Sequence, residues 1–369
     1  MRRAVALAIT AASLAVISLA VAAPARAQYP QGYPAGYAAI VEAAKNEGKV
    51  VVSAAVDRAA AAPLIEDFEA LYPGIAVTYL DFASSNLYNH VVTEAAAGAG
   101  TSDIVWSSSM DLQVKLVAEG YAATYASPES PNLPKWAVWR DEAYGTTYEP
   151  VTIVYNKRLV PAGDVPQDHP ALLRLLTTKT ATYSGKLAAY DPERSGAGYL
   201  LATQDVANWP QAWDLFDAFG KVGIKLYTGS ADMVDRVASG EYTIAYGIFG
   251  SYALTRSKHD PALGVIMPKD YTLVVSRVMF IPKGARHPNA ARLFLDYMLS
   301  RRGQTVIARK AELYALRSDV KGEATAAKVS AMIGDRVRAV PIGEALLANL
   351  EARRRADFLD RWQASMKAR

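Results

Sequence analysis

Residues 49–80 read KVVVSAAVDRAAAAPLIEDFEALYPGIAVTYL, which predicts a strand, a helix and a second strand in succession. Two apolar runs rich in valine flank a stretch in which Leu64, Phe68 and Leu71 recur at helical spacing, and Pro73-Gly74 ends that helix. A strand, a covering helix and a next strand form a unit whose two strands run parallel in one sheet. This stretch therefore predicts an α/β fold.

The same alternation continues on both sides of this unit. A helix begins at Tyr37 and ends at Gly48, and another spans about 86–97. Further strands are predicted at 103–106, 186–190, 224–228, 242–248 and 264–267, with helical patterns between most of them. Strands covered by helices on both faces are typical of largely parallel sheets.

Two long extended stretches, 146–156 and 271–281, bracket the middle of the chain. If each crosses between two compact units, residues 28–148 and 272–369 form one lobe and residues 149–271 form the other. Two consecutive domains joined by a single linker are the alternative, but no long Gly-, Ser- or Pro-rich linker occurs in this part of the sequence. We therefore interpret the two stretches as hinge strands of a two-lobed protein.

The N-terminus has the pattern of a secretory signal peptide. Arg2 and Arg3 precede an apolar run at 4–23, and Ala25-Arg26-Ala27 ends it with small residues around one arginine. We expect residues 1–27 to be removed; an uncleaved membrane anchor is the alternative, since the run is about 20 residues long. Export of a chain without cysteine favours the bacterial periplasm.

The charge balance excludes a nucleic-acid-binding surface. Residues 1–27 hold three arginines and no acid, so the rest of the chain carries 37 basic and 36 acidic side chains. Binding to nucleic acid depends on a strong positive excess, which is absent. The lack of cysteine also excludes disulfides, thiolate metal sites and a lipidated N-terminal cysteine.

Hydroxyl-bearing and small residues follow most of the predicted strands, where ligands of parallel sheets bind. The candidates from these loops are Ser53, Ser84, Ser85, Ser107, Ser108, Arg194, Ser195, Gly196, Thr228 and Ser230. Most of these loops open a helix, whose free N–H groups and dipole attract anions. Simple helix capping is the alternative explanation for each single loop.

Three further residues complete the candidate site. Arg277 lies in the apolar run VVSRVM (residues 274–279), where a buried arginine needs a partner. Tyr148 and Tyr246, near the predicted hinge and cleft, are candidates for stacking on a ligand or hydrogen bonding to it. A small anion is the ligand that this set predicts.

Catalytic and metal-binding patterns are weak in this sequence. Its four histidines are scattered, and neither a Walker loop, a G-x-S-x-G elbow nor a dinucleotide fingerprint occurs. Adjacent acids such as Asp141-Glu142 are explained by a solvated surface. We therefore expect neither enzymatic activity nor a cofactor.

Several segments together resemble periplasmic solute-binding proteins of ABC importers, in the two-lobed group that includes ferric-ion, sugar-phosphate and phosphonate binders. They are FEALYPGI (68–75), SDIVWS (102–107), VYNK (154–157), VASGEY (237–242), IPKGA (281–285) and ARLFLDYMLS (291–300). The resemblance implies a cleft that closes on one ligand by hinge motion and a docking partner, an ABC permease in the inner membrane. We expect the binding protein itself to be a monomer.

The resemblance leaves two ligand classes open. Ferric relatives commonly bind the metal with two neighbouring tyrosines, whereas the matching stretch here is YGIFGSY, from Tyr246 to Tyr252. The broken pair favours the branch that holds phosphate esters, phosphonates or carboxylates over ferric iron, and no metal is expected.

Overall fold

The computed structural model describes residues 29–367, so the predicted signal peptide lies outside the described residues. The strands are β1 Lys49–Ala55, β2 Ala76–Asp81, β3 Ile104–Ser107, β4 Val138–Trp139, β5 Ala143–Gly145, β6 Glu149–Asn156, β7 Leu187–Tyr190, β8 Lys225–Tyr227, β9 Ile244–Phe249, β10 Leu263–Ile266, β11 Thr272–Val275, β12 Val278–Phe280 and β13 Val337–Ala339. The α-helices are α1 Tyr37–Glu47, α2 Arg58–Leu71, α3 Ser84–Ala96, α4 Met110–Ala118, α5 His169–Thr178, α6 Thr180–Tyr183, α7 Gly196–Asn208, α8 Ala212–Lys221, α9 Ser230–Ser239, α10 Gly250–His259, α11 Pro288–Leu299, α12 Arg301–Arg309, α13 Ala326–Ile333 and α14 Ala352–Lys367. Among the helices of residues 29–367, none is long and apolar enough to span a membrane.

The first sheet has the order β2-β1-β3-β12-β5-β4. Its three leading strands are parallel, while β12 runs antiparallel to both β3 and β5. All four residues of β3 are buried, because helices cover both faces of the sheet. We call this sheet with its helices the first lobe.

The second sheet has the order β13-β11-β6-β9-β7-β8, and β10 pairs with β6. Its central strands β7 and β9 are parallel, and β6 runs antiparallel to β9. Helices α5, α7, α8, α9 and α10 pack around it. This sheet with its helices is the second lobe, and the α/β class predicted from the sequence is confirmed.

The chain passes between the sheets at the two extended stretches. It leaves the first sheet after Gly145 and enters the second at Glu149, and it returns between Val275 and Val278. The two crossings lie side by side, since the Thr146 amide donates to the Arg277 carbonyl at 2.9 Å. Short segments of two or three residues thus join the sheets.

The C-terminal part differs from the expected assignment of 272–369 to the first lobe. Strand β13 pairs with β11 in the second sheet, and α14 packs on α8 of the second lobe. The reason is the apolar face of α14, where Phe358 and Trp362 meet aromatic residues of α8. The amphipathic pattern of this helix was visible in the sequence, but its partner was not.

Candidate functional site

The site lies where the first sheet meets the second crossing. Val278 of β12 pairs with Ser107, the last residue of β3. Arg277, which precedes β12, and Ser108, which follows β3, therefore lie at the same edge of the sheet. The Arg277 amide donates to Thr147 Oγ1 of the other crossing at 3.0 Å. The serine loop after β3 and the hinge arginine, both predicted as site residues, are therefore neighbours.

Arg277 is 1% exposed and only partly paired. Its Nε lies 3.3 Å from Glu149 Oε1, while Arg277 Nη2 and Glu149 Oε2 are buried without a hydrogen-bond partner among the described residues. Burial alone lowers the pKa of the guanidinium, but Tyr252, Glu149 and Asp57 outweigh it and hold the pKa above its ordinary value. The site therefore contains a permanent cation with a free N–H group.

Two aromatic residues of the second lobe cover this cation. The guanidinium carbon lies 5.8 Å from the ring centre of Phe249 and 5.7 Å from that of Tyr252. Tyr252 also lines a cavity of about 480 Å³, so a residue that covers Arg277 forms part of the wall of that cavity. Burial raises the pKa of the Tyr252 hydroxyl, Arg277 lowers it in part, and the phenol stays neutral at physiological pH.

The 480 Å³ cavity lies between the lobes. The first turns of α2, α9 and α10 contribute Ala59, Ala60, Ala231, Ser251 and Tyr252, and the remaining lining residues are Asp57, Val234, Asp235, Thr255, Arg256, His259, Lys310, Ala311, Glu312 and Leu313. Three helix N-termini facing one cavity favour an anionic group. Ser251 adds a hydroxyl that is buried and has no partner within residues 29–367.

Tyr190 and Ser230 form a second polar pair beside this cavity. Their hydroxyls lie 2.7 Å apart, and Ser230 Oγ accepts the Phe249 amide at 3.1 Å. Burial raises the pKa of Tyr190 to about 12, with a smaller opposing effect of Arg277. Ser230, a predicted site residue, therefore positions the β9–α10 turn that carries Phe249 and Tyr252.

The loop after β3 approaches the second lobe closely. Ser107 Oγ accepts the Ser109 amide at 3.1 Å, so Ser107 serves a local turn. A Cβ on Gly196 would lie 2.7 Å from Ser109 Oγ, which explains why a glycine opens α7. The Gly196 amide also donates to Ser84 Oγ at 3.2 Å, a hydrogen bond from the second lobe to the first.

A smaller cavity of about 300 Å³ lies beside this contact. Its lining residues are Ser85, Tyr88, Asn89, Asp111, Leu112, Lys115, Pro192, Glu193, Ser195, Gly196, Tyr199, Leu350 and Arg355. Ser195 caps α7 by accepting the Gly198 amide at 3.1 Å. The predicted residues Ser84, Ser85, Ser195 and Gly196 thus meet at this second cavity rather than around Arg277.

Three predicted site residues point away from both cavities. Ser53 lies inside β1, which continues to Ala55, and its hydroxyl is 2.8 Å from that of Ser102. Tyr148 bonds to Ser330 at 2.9 Å in the first lobe. Tyr246 donates to Asp205 at 2.7 Å inside the second lobe. Each of these side chains therefore bonds within one lobe, and the structure brings none of the three to either cavity.

The side chains of Arg194 and Thr228 lie outside the two cavities. Both side chains are exposed, and neither lines one of the two cavities. The Thr228 carbonyl accepts the Ser195 hydroxyl at 3.5 Å, which is a weak bond. Their loops are at the expected edge, but their side chains face solvent.

Tyr190, Ser251 and Glu149 were not predicted as site residues, and Tyr252 was named only at the end of the stretch that matches the ferric tyrosine pair. Tyr190 is the last residue of a predicted strand, and Ser251 and Tyr252 follow the strand that ends near Ile248. A position at the end of a strand or directly after it was therefore the sequence signal that could have identified these three residues. Glu149 carried no such signal, because its pairing with Arg277 joins residues 128 positions apart.

The two tyrosines that match the ferric pair lie apart in the structure. Tyr246 lies in the second-lobe interior while Tyr252 lines the cleft cavity, so this pair is separated. Within the described part of the chain, no group of three histidine or acidic side chains is arranged to hold a metal ion.

The placement of Tyr246 makes a prediction. Tyr246→Phe should leave solute affinity within about twofold of wild type and lower the free energy of unfolding by about 0.5 to 1.5 kcal/mol, because only the bond to Asp205 is lost. Titration calorimetry and chemical denaturation measure the two quantities. A tenfold loss of affinity would show that Tyr246 contacts the solute.

Comparison with known proteins gives a consistent result. Residues 63–332 match the family model of the bacterial extracellular solute-binding proteins. A substrate-binding protein of an ABC transporter from Agrobacterium tumefaciens is similar in structure, with TM-score 0.82, 36% identity, and 86% of this chain and 94% of that chain covered. The periplasmic binding protein AfuA from Actinobacillus pleuropneumoniae, solved with fructose-6-phosphate, has TM-score 0.73 at 19% identity, covering 87% and 99%, and shares the fold.

Curated relatives match shorter stretches. The phosphoglycerate transport regulatory protein PgtC of Salmonella typhimurium is 27% identical over 130 residues, which is 34% of this chain and 32% of that protein. The curated relatives are matched over at most 40% of their own length. The family and its solved neighbours are two-lobed binding proteins rather than enzymes, which confirms the expected family and architecture. The chain belongs to the bacterial extracellular solute-binding proteins.

Proposed function

We propose that this protein captures a small anionic solute, a phosphate ester, phosphonate or carboxylate, in the cleft between its lobes. It delivers this solute to an ABC permease in the inner membrane. The observation that carries the proposal is the unpartnered Nη2 of Arg277, a buried guanidinium whose side chain makes one hydrogen bond within residues 29–367, from Nε to Glu149. We assign residues 28–148 and most of the chain after 272 to the first lobe and 149–271 to the second. Strands β11 and β13 and helix α14 are exceptions, since they pack with the second lobe.

The charge at Arg277 favours a negatively charged group on the solute. A buried N–H without a partner costs about 1 to 3 kcal/mol, and more on a charged group. Glu149 satisfies one edge of the guanidinium, and a solute oxygen satisfies the other. Tyr252 lines the 480 Å³ cavity and lies over the guanidinium, so the proposal requires that this side chain turn aside to expose the second edge to the solute.

The helix N-termini and hydroxyls support the same class of solute. The first turns of α9 and α10 present free amides, and Ser251 offers an unpartnered hydroxyl in the described cavity wall. The two helices have ten residues each, long enough for a substantial dipole. A cavity of this volume suits a small solute.

Two of the relatives support this solute class, whereas other solved neighbours with the same fold are named for ferric iron or GABA. PgtC is named as a phosphoglycerate transport regulatory protein, and phosphoglycerate is a phosphate ester. AfuA was solved with a sugar phosphate. We propose export to the periplasm by the N-terminal signal, in keeping with the extracellular family.

Native mass spectrometry of the protein purified from the periplasm of its own host tests the proposal. We expect a non-covalently bound organic anion of low mass, released on denaturation and identifiable by its fragments. Stoichiometric iron with a phenolate charge-transfer band would favour ferric uptake, and a neutral or cationic solute would contradict the anionic class.

A further inference from the structure

We propose that residues 342–350, here called the clasp, hold the two lobes together in the absence of solute. This inference rests on the proposed closure of the lobes. The clasp comprises Ile342, Gly343 and the 3-10 helix Glu344–Leu350. It lies between two segments that are attached to the second lobe, and it packs against the first.

The segments on either side of the clasp belong to the second lobe. Strand β13 pairs with β11, and the Val340 amide donates to the Val274 carbonyl at 2.9 Å. Helix α14 packs on α8, where Trp362 meets Phe216 with ring centres 5.1 Å apart. These attachments make the clasp move with the second lobe.

A close helix contact strengthens the second attachment. Arg361 forms an ion pair with Asp217 at 2.7 Å. A Cβ on Gly220 would lie 1.8 Å from the Ser365 carbonyl oxygen, so the backbones of α8 and α14 meet without intervening side chains. Residues 352–367 are therefore a fixed part of the second lobe rather than a loose tail.

The clasp itself contacts the first lobe. Its 3-10 helix lies against α4, and the Ile342 amide donates to the Trp136 carbonyl at 2.8 Å. The Ile342 side chain reaches Gly145, where a Cβ would be 3.3 Å from Ile342 Cδ1. Leu346 is buried at 3% exposure.

We interpret these contacts as those of a closed arrangement, because other contacts also join the lobes directly. Between the lobes the Gly196 amide bonds to Ser84 Oγ, and the 300 Å³ cavity is enclosed by residues of both lobes together with Leu350. If the lobes separate about the two crossings, the clasp must part from α4 or from the second lobe. Its contacts with the first lobe therefore favour the closed form.

The test compares two variants of similar chemistry. Leu346→Ala weakens the clasp, whereas Leu176→Ala removes a similarly buried leucine from α5 of the second lobe, a helix that carries neither attachment of the clasp. Because the chain has no cysteine, Glu66→Cys on α2 and Lys258→Cys on α10 allow two spin labels on exposed positions of the two lobes. Pulsed electron paramagnetic resonance then measures the distance between the lobes in solute-free protein.

We expect one short distance in the labelled parent and in Leu176→Ala, and an added longer distance in Leu346→Ala. Adding the retained solute to Leu346→Ala should restore the short distance. The affinity of this variant for the solute should be about three- to tenfold weaker, since part of the protein must first close. Ile342→Ala is the second variant if Leu346→Ala folds poorly by circular dichroism. Unchanged distances in both clasp variants, or equal opening in Leu176→Ala, would overturn the inference. A wrong solute class leaves the solute-free comparison intact, so the two proposals fail separately.

Discussion

Arg277→Ala is expected to weaken binding of the retained solute by about 2 to 5 kcal/mol, roughly 30-fold to several thousand-fold. The substitution removes the charge-assisted hydrogen bond from Nη2 and leaves the solute anion partly unpaired in a closed cleft. Ser251→Ala should cost less, about 0.5 to 1.5 kcal/mol, because neighbouring amides still bind the same oxygen. Titration calorimetry measures both.

The pairing of Arg277 with Glu149 requires a matched control. Removing the arginine alone leaves a buried carboxylate without its cation, which destabilises the fold by about 3 to 5 kcal/mol. The double variant Arg277→Ala/Glu149→Ala relieves that penalty, and circular dichroism checks its folding. If the folded double variant binds within about twofold of wild type, Arg277 is structural and the anion binds elsewhere.

Arg277→Lys distinguishes the contribution of the positive charge from that of the planar guanidinium. The lysine keeps the positive charge beside Glu149 but lacks the planar pair of N–H groups, so an intermediate loss is expected. An affinity equal to wild type would show that only the charge matters. A loss equal to that of Arg277→Ala would show that the solute needs two parallel hydrogen bonds.

Asp111→Asn should change how stability depends on pH. Asp111 of α4 is 2% exposed at the second cavity, and burial raises the pKa of its carboxyl to about 7, partly opposed by the Leu112 amide and Arg355. The other titratable residues around this cavity are Tyr88, Lys115, Glu193, Tyr199 and Arg355. The unfolded carboxyl has a pKa of about 3.9.

The direction of this pH effect on stability follows from proton binding to Asp111. Between about pH 4 and pH 7 the folded protein keeps a proton that the unfolded chain has released, so wild-type stability falls as pH rises. The loss is complete above pH 7, with an upper limit of roughly 4 kcal/mol. Asp111→Asn lacks this titration and should gain stability relative to wild type between pH 4.5 and pH 8.

Chemical denaturation at pH 4.5 and at pH 8 measures this difference in the free energy of unfolding. Asp360→Asn on the exposed face of α14 is the control, and it should follow wild type at both pH values. If the free energy of unfolding changes equally with pH in wild type and in Asp111→Asn, the pKa of Asp111 is not raised. The difference between proteins isolates this residue from other titrating groups.

The elements of the fold could be predicted from the sequence because their signals are local. The alternation around residues 49–80 and the apolar stretches at the two crossings depend on neighbours in the chain. The hinge position of Arg277 followed from the same reasoning. Its unpaired N–H could not, because that depends on how Glu149 and Tyr252 pack in three dimensions.

The structure places several predicted site residues away from both cavities. Side chains on a strand alternate between faces, so the end of a strand decides which side its last residues occupy. Ser53 was predicted to follow β1, but the strand continues to Ala55 and the serine faces Ser102. Tyr246 lies inside β9, where its side chain turns toward Asp205 rather than the cleft.

A crystal structure of the protein with its retained solute tests the central claim most directly. We expect an anionic oxygen of the solute within hydrogen-bond distance of Arg277 Nη2, with Tyr252 turned aside and the solute between the first turns of α9 and α10. A solute bound outside this cleft, or one in the cleft whose anionic group lies away from Arg277, would contradict it.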